Sequence, residues 1–369
     1  MTGIYVHVPF CVSKCPYCDF YSLPLAAVDA DMRERYAAAV VREMGRYDGV
    51  FADTLYFGGG TPSLLGGQHL AAVIAAARKH FSLPDDAEVT LEANPADDLY
   101  ETLAAFAAAG GNRLSLGMQA SSSDRLKTLG RRHTPHDVAR TVADARRAGI
   151  ENISLDLMLA VPGQDAAAVT ADVETCAALG VQHVSAYLLK IEKGTPFEKM
   201  RDTLSLPDDD TAAELYLAAV AALEGAGFAQ YEISNFAKPG FESRHNLKYW
   251  TGAPYLGFGP AAHSFFDGRR FYYPRDLAAF MNGGGVTAEE DDALPSGSEE
   301  EFALLRLRLT AGLSAAAFRE RFRKELPPAW IARARALPPT FLRVSDDGIA
   351  LTPAGFLISN TLIAHILNL

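Results

Sequence analysis

Short apolar runs recur along the first half of the chain, and alanine-rich amphipathic stretches separate them. The runs are Ile4–Val8, Thr54–Phe57, Glu88–Glu92, Arg113–Gly117, Asn152–Leu157 and His183–Leu188. Between them, helical periodicity predicts helices at Asp31–Met44, His69–Phe81, Leu99–Ala109, Pro135–Ala148 and Ala166–Leu179. Strand and helix alternating at intervals of about 25 to 40 residues predict parallel strands joined by crossover helices. Six such units suit a partial (β/α)6 barrel better than a closed eight-stranded one. On pattern alone, a doubly wound open sheet is the rival architecture.

After Leu188 the alternation loosens. A helix predicted over Asp210–Gly225 leads into an aromatic stretch from Phe228 to Tyr273. Gly283–Gly285 and the acidic run Glu289–Ser298 read as a linker. The expected division is therefore a barrel with its extension over residues 1–285 and a small helical, winged-helix-like domain over 286–369. In that tail the sequence predicts a hairpin around Asp346–Gly348 and one capped amphipathic helix starting after Thr352. A chain of 369 residues is long enough for two such domains.

Three of the four cysteines, Cys11, Cys15 and Cys18, fall in the single stretch CVSKCPYC. Pairing them as disulfides leaves one over. A zinc site normally takes four protein ligands, or three with an open position. A four-iron cluster takes one ligand per iron, so three thiolates leave one iron for a small molecule. Cysteine as a small buried hydrophobe suits Cys176, in the apolar run VETCAALG, better than three clustered thiols. The lead-in GIYVHVPFC is a strand that stops at Pro9. A strand opening at its C-terminal end into a ligand loop is how (β/α) barrels place their chemistry.

At these residues the chain resembles the radical S-adenosylmethionine (SAM) superfamily. The stretch YVHVPFC-x3-CPYCDFYS is similar to its coproporphyrinogen-oxidase-like branch, which holds oxygen-independent coproporphyrinogen III oxidases and HemW-type heme chaperones. The resemblance runs over essentially the whole chain. It implies a TIM-type (β/α)6 radical SAM core and a [4Fe–4S] cluster on Cys11, Cys15 and Cys18, whose fourth iron binds the methionine end of SAM. The reduced cluster would cleave SAM to methionine and a 5′-deoxyadenosyl radical, so the cofactor carries the hard chemistry.

The glycine run GGGTPS, Gly58 to Ser63, follows the second strand and would expose backbone amides to a ligand. It lacks the lysine of a P-loop, and alone it also reads as a tight turn. The resemblance assigns Gly59, Gly60 and Thr61 to the methionine part of SAM. Glu92, Gln119, Arg131 and Asp156 stand at or near strand ends, where they would line one mouth of the barrel. Each alone also reads as a cap or a surface residue. The resemblance implies that Tyr5, Glu92, Gln119, Arg131 and Asp156 hold SAM.

A further motif, RHNLKYW, spans Arg244–Trp250. His245, Asn246, Tyr249 and Trp250 match the HNxxYW pattern of HemW-like chaperones, which implies contact with heme as cargo. Imidazole ligates heme iron and aromatic rings pack on porphyrin faces, so His245 is the first candidate ligand. His263, in YLGFGPAAHS, is the second. The competing expectation is that Tyr249 and Trp250 are core aromatics in a segment crossing the barrel mouth. The related oxidases carry a fourth cysteine two residues after the third, where this chain has Phe20, and an extra segment before the first strand. Both differences favour a chaperone that passes heme to acceptor hemoproteins over decarboxylation of coproporphyrinogen III to protoporphyrinogen IX. A radical SAM enzyme acting on another substrate is the third reading.

Composition agrees with a globular protein at 49% hydrophobic and 21% charged residues. No uninterrupted apolar run reaches the roughly 18 residues of a membrane span. A strand within four residues of Met1 leaves no room for a signal peptide, and clustered thiols suit a reducing cytoplasm. A net charge of −11 argues against a nucleic-acid-coating surface. The reading also calls for an electron donor, and a cluster-dependent homodimer is compatible with it.

Overall fold

The computed structural model describes residues 1–95, 98–288 and 294–369. Six parallel strands form its centre: β1 (Thr2–Val8), β2 (Ala52–Gly59), β3 (Glu88–Ala93), β4 (Arg113–Gln119), β5 (Asn152–Leu159) and β6 (His183–Leu188). They stand side by side in sequence order. A doubly wound sheet would reverse its strand order at a switch point, so this order removes that alternative. The strands are legible as apolar runs because both faces are covered; β4 is buried along its whole length.

The crossover helices are Ala30–Met44, Gly67–Phe81, Tyr100–Ala108, Pro135–Arg147 and Ala166–Ala178, each within two residues of its predicted ends. Their starts have chemical causes. Asp29 accepts from the Met32 amide, Asp165 accepts from the Ala168 amide, and Thr134 with Asp137 forms a reciprocal capping box. Cys176 is fully buried with its sulfur 4.0 Å from that of Met118, a packing role as expected.

The sheet continues past the six strands on both sides. On its outer side β1 pairs in parallel with Tyr255–Phe258, which is followed by the antiparallel strands His263–Phe266, Arg269–Tyr272 and Thr287–Ala288. Beyond β6, Asn235–Ala237 and Ala229–Gln230 pair antiparallel. The aromatic stretch therefore supplies strands that cover both edges of the barrel.

The RHNLKYW segment is a helix, Arg244–Thr251, capped by Ser243. It does not cross the mouth. It lies against the N-terminal ends of the strands: the Arg244 and His245 amides donate to Glu88, the first residue of β3, and Lys248 donates to the Met1 carbonyl. This floor helix closes the end of the barrel opposite the cysteines.

In the tail, helices Glu299–Arg306, Ala315–Phe322 and Pro328–Arg335 accompany a three-stranded sheet of Leu313–Ser314, Gly348–Leu351 and Leu342–Ser345. The hairpin turns at Asp346–Asp347, within the predicted span. Thr352 caps a helix as expected, but the single predicted helix is two, Pro353–Leu357 and Ser359–Leu367. The backbone leaves helical geometry at Ile358 (φ −115°, ψ 24°). Among the described residues the buried apolar core runs continuously from barrel to tail. Half of the predicted linker Glu289–Ser298, residues 289–293, lies outside the described residues. No helix among the described residues is long and apolar enough to cross a membrane.

Candidate functional site

After β1, Phe10–Cys11 pairs with Leu23–Pro24 and so closes the cysteine loop into a compact unit at the barrel mouth. Within it the Cys18 amide donates to the Cys15 carbonyl at 3.1 Å, and the Phe197 amide ties down Pro16 at 3.0 Å. The three thiols are half-buried. Arg131 Nη1 lies 3.5 Å from Cys15 Sγ, and Thr61 Oγ1 lies 3.5 Å from Cys11 Sγ. Burial pushes the Cys18 thiol pKa up.

A cleft of about 140 Å3 adjoins the loop, lined by Cys11, Cys15, Thr61, Asn94, Arg131 and His133 among others. Among the described residues no three His, Cys, Asp or Glu side chains converge on one metal ion. Three half-buried thiols in one loop suit a polynuclear cluster, where each thiolate binds a different iron. Arg131 Nε is buried without a hydrogen-bond partner. A buried orphan donor beside thiols is what an anionic ligand group would satisfy. The residues present thus fit both a cluster and a carboxylate-bearing ligand.

The glycine strip is used differently from expectation. Its amides are not free: Gly59 N donates to Glu92 Oε2 (3.3 Å), Gly60 N to the Val8 carbonyl (2.9 Å) and Thr61 N to the Phe10 carbonyl (2.6 Å). Glycine is needed here for close approach. A Cβ on Gly60 would lie 2.5 Å from the Phe10 carbonyl oxygen, and Gly59 adopts φ +115° against the His7 ring. The strip locks β2 onto the cysteine loop and leaves the Thr61 hydroxyl beside Cys11.

Gln119 ends β4 with φ +66°, where the pairing with β5 shifts register. Gln119, Arg131 and Asn94 converge over Gly117; a Cβ there would meet their polar atoms at 2.8, 2.4 and 3.2 Å. Asn94 also donates to Thr61 Oγ1 at 2.9 Å. Asn94 was not among the sequence candidates, although it stands two residues after Glu92 at a strand end.

Deeper in the barrel, Glu92 accepts from Tyr56 OH at 2.7 Å, and Asp156 accepts from Ser115 Oγ at 3.2 Å. Both border a polar cavity of about 30 Å3 that Asn246 also lines. Burial raises both carboxyl pKa values, that of Glu92 to about 7. His7 Nε2 lies 2.9 Å from the Tyr21 carbonyl, so it is the donor there and Nδ1 accepts from Tyr5 OH at 3.1 Å. His7, which the sequence reading passed over, thereby orients Tyr5 and pins the cysteine loop. Burial keeps it neutral by lowering its pKa.

The shift of Glu92 has a signed consequence. The folded protein holds this proton more tightly than the unfolded chain, whose carboxyl titrates near 4.5. The resulting stability is full below that value and is lost as pH rises through about 7. In cluster-free protein, Glu92→Gln should therefore lose less stability than wild type between pH 5 and 8, by on the order of 2 kcal/mol. Denaturant titrations across that range check it, and parallel pH profiles for the two proteins would refute it.

The heme candidates separate. His245 is 1% exposed, with Nδ1 2.8 Å from Thr54 Oγ1 and Nε2 2.9 Å from Tyr249 OH. Burial lowers its pKa to about 3. Both ring nitrogens are engaged inside the barrel floor, with Thr54 and with Tyr249. Asn246 faces the inner cavity, and Tyr249 packs edge-on to Tyr255 with centroids 4.7 Å apart. Trp250 is half-buried on the same floor helix. His263 is exposed, stacks on Tyr272 at 5.2 Å, and acts electrostatically on His7 near the mouth. Phe20, at the end of the cysteine loop, is 66% exposed.

Comparison with known proteins agrees with this geometry. The model of the radical SAM superfamily matches residues 5–176. The chain is 37% identical over 377 aligned positions to a heme chaperone HemW of Mycobacterium tuberculosis, covering 99% of this chain and 95% of that one. Identity to the heme chaperone HemW of Bacillus subtilis is 35% over 379 positions, covering 98% and 97%. The coproporphyrinogen III oxidase HemN from Escherichia coli superposes with a TM-score of 0.80 over 99% of this chain and 89% of its own, at 20% identity. That likeness establishes a shared fold.

Proposed function

We infer the function from one premise: the chain belongs to the HemW family of the radical SAM superfamily. On that premise it is a heme chaperone that binds heme and passes it to acceptor hemoproteins. The observation carrying this reading is that the heme chaperones of Mycobacterium tuberculosis and Bacillus subtilis align along 95% and 97% of their own length, so this chain matches nearly all of both.

Family membership implies a [4Fe–4S] cluster and SAM. Cys11, Cys15 and Cys18 would hold the cluster, which supplies the electron for SAM cleavage when reduced. The chain's own residues do the rest. Arg131, with its orphan Nε, suits a carboxylate, and Gln119 and Asn94 narrow the cleft beside it. Glu92 and Asp156 form the deeper polar wall with Tyr56, on which Tyr5 stacks. The half-buried loop limits water at the thiols. The reading places the protein in the reducing cytoplasm with an electron donor, and leaves room for a homodimer.

Cargo would meet the protein at the mouth, where His263 is the exposed imidazole and Phe20 an exposed ring. The test combines two assays on cluster-reconstituted protein. Hemin titration should give near-stoichiometric binding, followed by transfer to an apo-hemoprotein; His263→Ala should alter the Soret band of the bound heme. Anaerobic incubation with SAM, dithionite and coproporphyrinogen III should form no protoporphyrinogen. Repeated turnover to protoporphyrinogen without heme transfer would replace this reading with the oxidase.

A further inference from the structure

We propose that the HNxxYW segment of this chain is a positioning element for the SAM-binding wall, with His245 setting Glu92 through Tyr56. The proposal rests on the SAM-binding part of the functional reading and concerns what the floor helix does for that site.

The helix is held too firmly for its contacts to be incidental. The Glu88 carboxylate accepts from its first two amides at 3.0 and 2.9 Å, which occupies two donors that a helix start otherwise leaves open. Arg113 pairs with the same carboxylate at 3.5 Å and donates to the Phe241 carbonyl at 2.9 Å. At the other end Lys248 reaches Asp53 at 2.6 Å. The helix is pressed onto β1 as well: a Cβ on Gly3 would lie 2.7 Å from Lys248 Cδ and 3.2 Å from His245 Cε1.

From this fixed helix a continuous set of contacts runs up the barrel. His245 Nδ1 bonds to Thr54, and its ring stacks on Tyr56 at 5.1 Å and 26°. Thr54 and Tyr56 lie two apart on β2, so both point to the inner face. Tyr5 completes a three-ring cluster, 6.2 Å from Tyr56 and 6.5 Å from His245. The Tyr56 ring is held by both neighbours, and its hydroxyl donates to Glu92 Oε1 at 2.7 Å. The other oxygen of Glu92 takes the Gly59 amide at 3.3 Å. Gly59 leads directly into Gly60 and Thr61, whose amides hold Val8 and Phe10 beside Cys11. Asn246, next to His245, borders the cavity that Glu92 and Asp156 share. The motif thus reaches the cofactor wall by side-chain contact from below, while its histidine nitrogens are spent inside the floor.

The test uses His245→Phe, which keeps a ring for stacking and loses both hydrogen bonds, and Tyr56→Phe, which keeps the fold's shape and loses only the hydroxyl on Glu92. Both are prepared with reconstituted cluster and compared with wild type by SAM affinity, by the SAM-induced change in the EPR spectrum of the reduced cluster, and by hemin titration. The expected result is SAM affinity weakened tenfold or more and a diminished EPR response in both variants. Iron content and hemin affinity should stay within twofold of wild type. Loss of hemin binding in His245→Phe with an unchanged SAM response overturns the proposal, as does a normal SAM response in Tyr56→Phe. A wild-type protein whose EPR spectrum ignores SAM overturns both the proposal and the SAM part of the functional reading. A wild type that responds to SAM but fails to bind hemin overturns the chaperone reading alone.

Discussion

Gly60→Ala should yield a folded protein that fails to retain an iron–sulfur cluster. The new methyl carbon would lie 2.5 Å from the Phe10 carbonyl oxygen and 3.1 and 3.2 Å from the carbonyl carbon and nitrogen of the same residue. These are backbone atoms and cannot rotate away. The Thr61 amide grips that carbonyl at 2.6 Å, so the strip and the loop cannot separate without losing the bond. The strain is relieved by displacing Phe10 and with it Cys11, the first of the three thiols. Overpacking of this kind costs about 1–3 kcal/mol in stability. The larger effect is on the ligand set: iron bound per chain after reconstitution should fall to a small fraction of wild type. Gly225→Ala is the control, since a Cβ there meets nothing within 4 Å. A Gly60→Ala protein with a full complement of iron would show that the close approach is dispensable.

Glu88→Ala should be among the most destabilising single changes in the barrel. Glu88 and Arg113 are 6% and 2% exposed, and removing the carboxylate leaves a guanidinium buried without its counter-charge. Arg113 Nη2 already lacks a hydrogen-bond partner, so the group has no spare acceptor to turn to. Breaking one half of a buried pair costs about 3–5 kcal/mol. The floor helix loses both amide acceptors in the same step. Glu88→Gln keeps an oxygen for the helix amides and should recover part of the loss. Urea unfolding followed by circular dichroism measures the shift; a loss below about 1 kcal/mol would mean that water replaces the carboxylate at little cost.

The parts of the molecule that were legible in the sequence are those whose cause is local. Leu114, Leu116, Ile153, Leu155 and Leu157 recur at every second position, which is why strands over Arg113–Gly117 and Asn152–Leu157 stood out. The cysteine spacing is itself a local fact, and the capping residue Thr352 announced its helix. What stayed hidden depends on partners far along the chain. Tyr255–Phe258 is four residues long and shows no periodicity; its strand character comes from β1. The residue types of RHNLKYW pointed to heme, but the end of the barrel it occupies is decided by Glu88 and Asp53. The inward turn of Gln119 needs a positive φ, which glutamine does not advertise. His7 and Asn94 were single polar residues beside apolar runs. Their value appears only when Tyr21 and Thr61 stand next to them.

The pairing of β1 with Tyr255–Phe258 also sets an order of events during synthesis. Lys248 reaches the Met1 carbonyl across 247 positions, and the Leu277 amide reaches Tyr21, just past the cysteines, across 256. Closing loops of that length is slow and entropically costly, and the contacts reward it only when both ends exist. The cysteine loop is made well before Leu277, so the contact that backs it at Tyr21 arrives 256 positions later. The loop gains that support only once the chain has been made through Leu277. Truncation before Leu277 would leave the three thiols on a loop without that contact.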